Sequence, residues 1–170
     1  MNSAQGNSFW QWSLAAYDLP GAKQRLVSLQ DSFGFDVNIA LWCCWRAREG
    51  ETLSEDTLRK ADAAVASWTE GVIEALRDAR RNAKAGPPAI YEQIKDVELA
   101  AERRAQDLLF TISASGSSTT PDAVTAAATT NLLLYASLID APRREGFSSA
   151  LLRDLIDHIF PQTQKSGAYE

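Results

Sequence analysis

The chain of 170 residues is short of nearly everything that soluble enzymes use for chemistry. It has one histidine, two cysteines and one methionine. One histidine excludes the carboxylate-bundle metal site, which wants a Glu-x-x-His pair on each of two helices. Two cysteines, adjacent at Cys43 and Cys44, exclude a tetrahedral zinc site and cannot bridge each other on a helix, where neighbours point about 100° apart. No apolar run approaches the ~18–20 residues that cross a bilayer. The start, Met-Asn-Ser-Ala-Gln-Gly, lacks the basic and apolar regions of a signal peptide, so a cytoplasmic location is expected. Basic surplus is missing too. A net charge of −5 argues against a nucleic-acid partner, because neutralising phosphates needs excess Lys and Arg. There is no Gly-rich phosphate loop and no Ser-centred elbow. No cofactor and no metal are expected.

What remains is helical. The run Phe35 to Ala47 is apolar on nearly every side and holds two of the five tryptophans and both cysteines. A helix hydrophobic all round is one surrounded by other helices. At ~20 Å it is too short to span a membrane, so it reads as the central post of a bundle. Before it, Ser8 is the expected cap of a helix to Tyr17, and Leu19-Pro20-Gly21 breaks that helix. A one-sided stripe of Ala22, Leu26, Leu29 and Phe33 follows, stopped by Gly34. Asp36 then caps the central helix.

Ser54-Glu55-Asp56 opens a long helix whose seam is Leu58, Ala61, Val65, Trp68, Val72, Ala75 and Ala79, with Gly71 as a kink. Gly86-Pro87-Pro88 forces the next turn. Ala89 to Ser113 follows, with Ile90, Ile94, Val97, Ala101, Leu108 and Ile112 expected inward. The last two helices run from Pro121 to Ile139 and from Ser148 to Phe160. The spacing predicts an all-α fold: a single-domain orthogonal or up-down bundle of about six or seven helices around a buried central helix at 35–48. Residues 1–7 and 162–170 read as loose tails and 114–120 as a flexible loop.

Few residues stand out as candidates for function. Asp31 and Asp36 flank Phe33-Gly34-Phe35, but Mg²⁺-binding helices use tighter acidic clusters, so Asp36 reads as a cap and Asp31 as solvated. His158 falls in the last turn of the last helix, where the dipole favours a cation. Arg77, Arg80, Arg81 and Lys84 form a basic patch. An antiparallel hairpin about Gly86 brings Arg77 level with Asp96 and Arg80 with Glu92, which would pair part of the patch. What is left over is an anion- or partner-binding surface. Asn38 is the sharpest single residue, since an amide buried without partners costs about 1–3 kcal/mol. It either knits a core network or lines a pocket with Trp42 and Trp45. Trp10 adds to an aromatic surplus near the N-terminus that could form a groove.

Phe9-Trp10, Ser13-Leu14, Tyr17, Leu29-Gln30-Asp31, Asp36-Val37-Asn38 and Leu41-Trp42-Cys43, with Trp68, Arg77-x-x-Arg80-Arg81-x-x-Lys84, Glu98-Leu99 and Glu102-Arg103, are shared features. They resemble an uncharacterised proteobacterial family of small helical proteins, over about residues 8–110. The resemblance implies a bacterial cytoplasmic protein without an assigned activity, and it supplies no catalytic residue. The reading that follows is a non-enzymatic adaptor or regulator with an unidentified protein partner, a homo-oligomer being left open. The alternative is a helical enzyme or apolar-ligand-binding protein with a pocket of Trp42, Trp45 and Asn38.

Overall fold

The computed structural model describes residues 7–112 and 123–161; the expected loop at 114–120 and most of both expected tails lie outside them. Every regular element among the described residues is helical. In order they are α1 (Ser8–Tyr17), α2 (Ala22–Phe33), α3 (Val37–Arg48), α4 (Glu55–Trp68), a π-helical turn (Thr69–Ile73), α5 (Glu74–Ala83), α6 (Pro88–Phe110), α7 (Val124–Leu138), a 3₁₀ turn (Ala141–Arg144) and α8 (Ser149–Ile159). None is long and apolar enough to cross a membrane.

α3 is the post. Every residue from Asn38 to Ala47 is buried, and the helix packs against α1, α2, α6 and α7. Its start is built as the sequence implies: Gly34 at φ 73° ends α2, and the Asp36 carboxylate accepts from the N–H groups of Asn38 and Ile39. Ser54 likewise caps α4 by accepting from Thr57 N–H. At α1 the cap is one residue earlier than expected. Asn7, not Ser8, accepts from Trp10 N–H.

The long helix carries the main departure. Leu58, Ala61 and Val65 are buried as its seam requires, but Ile73, the last residue of the π turn, is buried while Ala75 is exposed. A π turn inserts one residue per turn. The stripe therefore advances by one, and the kink expected at Gly71 is this insertion.

Beyond it, α5 buries no residue, and the first buried residue of α6 is Ala101. α5 packs mainly on α6 and the π turn, so residues 74–100 form a two-helix arm projecting from the core. Ile90 and Val97, expected inward, are 47% and 55% exposed. The inner face of α6 instead runs through the half-buried Tyr91, Ile94 and Glu98 to Ala101, Ala105 and Leu109.

Candidate functional site

The base of the arm is tied to the core by one connected set of polar side chains. Asn38 is 2% exposed. Its Nδ2 donates to Glu102 Oε2, and its Oδ1 accepts from Gln106 Nε2 at 3.0 Å. Ser13 Oγ lies 2.7 Å from Gln106 Oε1 and 2.9 Å from the Trp10 carbonyl, two acceptors for one hydrogen. On the other side Arg77 Nη2 donates to Glu102 Oε1 at 2.6 Å. α1, α3, α5 and α6 thus meet in a single chain of donors and acceptors. Burial pushes the Glu102 carboxyl above the usual glutamate range, while Arg77 and the Asn38 amide pull it down. Tyr17, beside the same group, is raised by burial and then by Glu102.

The basic patch is largely paired, in a register different from the one expected. Arg77 meets Glu102, not Asp96, and Arg80 Nε donates to Glu98, not Glu92. The reason is the turn: α6 starts at Pro88, and its Tyr91 lies beside Lys84 and Gly86 in closing the hairpin. The side chains that line α5 therefore come from further along α6. Arg77, Glu98 and Glu102 are 12%, 13% and 19% exposed, so these pairs are drier than the surface ion pairs expected. Arg81 points outward to Asp78 at 2.6 Å, and Lys84 is exposed.

Trp42 and Trp45 are brought together by a residue the sequence reading passed over. Arg46, 8% exposed, sits 5.1 Å from both indole rings, and its guanidinium also donates to Glu51 at 2.8 Å and to the Ile112 carbonyl. The stack fixes the Glu49–Leu53 bend and the end of α6 to the post. Trp10 is half-buried on α1. The two best-formed cavities include neither Asn38, Trp42 nor Trp45 in their walls. Arg46 lies against the two indoles, and Asn38 is engaged by Glu102 and Gln106. Asn131, fully buried, was also missed. It accepts from Leu53 N–H and donates to the carbonyls of Cys43 and Glu51, and a lone amide ahead of Leu132-Leu133-Leu134 was the available signal.

The larger cavity, about 690 Å³, is a polar cleft elsewhere. Its floor is Phe35, Asp36 and Tyr135, between the ends of α2 and α7 on one side and α4 with the π turn on the other. Asp36 N–H donates to Tyr135 Oη at 2.9 Å, and Thr69 Oγ1 donates to Asp36 Oδ2 at 2.9 Å. Among the described residues no group of His, Cys, Asp and Glu is arranged to hold a metal ion.

Residues 8–109 match the family model described as "Protein of unknown function (DUF2390)", and the chain belongs to that family. Neither a curated protein nor a solved structure matches it.

Proposed function

We propose that the protein is a non-enzymatic interaction module, an adaptor or regulator of a larger assembly in the bacterial cytoplasm, and that the α5–α6 arm is its docking element. One observation carries the reading. The arm buries none of its residues between Glu74 and Ala100, yet Arg77 and the more exposed Arg80 tie its two helices together through ion pairs with Glu102 and Glu98. A hairpin that contributes so little to the core is kept rigid for something outside it. Ile90 and Val97 stand two turns apart on its solvent side, the spacing at which an amphipathic helix of a partner presents its own apolar side chains. The occupant proposed is such a helix.

The test is the double variant Ile90→Asp/Val97→Asp beside the wild type. Both should keep the same far-UV spectrum, with melting temperatures within ~2 °C, because the side chains are exposed. Chemical cross-linking in the host should capture one partner stoichiometrically with the wild type and lose it with the variant. An unchanged partner, or a variant that unfolds, refutes the docking role of this face.

A further inference from the structure

The polar cleft is lined by charges of both signs, with acids in the majority. Asp62, Glu70 and Glu74 line the wall made by α4, the π turn and α5, and none has a bonding partner among the described residues. The carboxyl of Asp62 is raised by burial and then by Asp36 and Glu70, the mark of crowded acids. Arg77 and Arg59 on that wall are engaged by Glu102 and Glu55.

The facing wall carries Asp140 as well as two donors. Arg143 has no acidic partner among the described residues, and its stem lies across Gly34, where an added Cβ would come 3.0 Å from Arg143 Cδ. Tyr135 is 4% exposed; its oxygen accepts from Asp36 N–H, and its own hydrogen has no acceptor among the described residues. No ion pair joins the two walls, although free carboxylates and a free guanidinium line one space of about 690 Å³.

A simple cation would leave Arg143 and the tyrosine hydroxyl unused. A simple anion would face the acids. A molecule carrying both charges suits both walls, and the space, enough for about twenty waters at ~30 Å³ each, exceeds the needs of one small amino acid. We propose that the cleft binds a short free peptide as a zwitterion, its ammonium group at Asp62 and Glu70 and its carboxylate at Arg143 and the Tyr135 hydroxyl. Val65, Ala66, Leu138 and Ile139 supply apolar contact along the way.

Calorimetric titration of the full chain with trialanine, N-acetyl-trialanine and trialanine amide tests this. Trialanine should bind, and each capped form should bind at least ~10-fold more weakly, the worth of one charge-assisted contact. Arg143→Gln should bring trialanine down to the affinity of its amide while the penalty for acetylation persists. Asp62→Asn/Glu70→Gln should do the reverse. Absence of binding up to about 10 mM, equal affinities for the three peptides, or an Arg143→Gln protein that discriminates like the wild type would each overturn the proposal. The site lies away from the docking face, so Ile90→Asp/Val97→Asp should bind trialanine normally, and the failure of either reading leaves the other standing.

Discussion

Replacing Asn38 by leucine tests whether the amide network is what joins arm to core. The substitution keeps volume but withdraws a donor from the Glu102 carboxylate and leaves Gln106 Nε2 facing carbon. A hydrogen bond to a charged group is worth about 1.5–3 kcal/mol, and an orphaned buried donor costs about 1–3 kcal/mol. The buried leucine returns roughly 1.5–2 kcal/mol of that. The net loss should fall within about 0.5–4.5 kcal/mol and centre near ~2.5 kcal/mol, or roughly 5–10 °C in melting temperature for a chain of this size. Urea denaturation followed by circular dichroism measures it.

The pH dependence sharpens the test. The Glu102 carboxyl is raised in the fold, so the folded chain holds that proton more tightly than the unfolded one. Its contribution to stability is full below the ordinary glutamate value and is lost as pH climbs through the raised one. Asn38 bonds the ionised form, so the deficit of Asn38→Leu should be largest at neutral pH and shrink in acid. Asn38→Asp, which sets a second carboxylate beside Glu102, should show the same trend more steeply. An Asn38→Leu protein within ~0.5 kcal/mol of wild type, or a deficit flat with pH, would refute the reasoning.

Arg77→Ala strands Glu102 and weakens Glu98 in a nearly dry setting, and should cost about 2–4 kcal/mol in urea denaturation, whereas Arg81→Ala, from an exposed pair, should stay within ~0.5 kcal/mol. Gly34→Ala forces a side chain into the left-handed region at φ 73° and against Arg143, a loss of about 1–2 kcal/mol; Gly71→Ala, whose Cβ meets nothing within 4 Å, should gain up to ~1 kcal/mol by the same measurement. Cys43 and Cys44 are fully buried, and burial pushes the Cys44 thiol up to about 12 and that of Cys43 well above its usual value. Iodoacetamide should therefore label neither at neutral pH until urea unfolds the chain, as mass spectrometry would show.

Much of the fold was legible because it depends on near neighbours. Gly34 with Asp36 and the Ser54 cap act within a turn or two of themselves, and the all-round apolarity of Phe35–Ala47 states burial without naming a neighbour. The arm was not legible. Ile90 and Val97 have the spacing of an inward stripe, but at residues 74–100 no third element of the core is there to bury it. The candidate site was partly legible: Asn38 stood out, while Gln106 looked like an ordinary helix-surface residue because its partners Ser13 and Asn38 lie far along the chain.

The sequence by itself determined most of the helix boundaries to within a few residues, and that α3 is enclosed. Those depend on residue type and on spacings of a few positions. Only the tertiary structure decided that Arg77 meets Glu102 rather than Asp96, that Arg46 lies against the indoles of both Trp42 and Trp45, and that free charges line a cleft between α4 and the end of α7. A π turn shifts a helical face by one residue, and a hairpin turn shifts the level at which two helices meet. Neither shift changes the local pattern of apolar residues, so only packing reveals which side chains face each other.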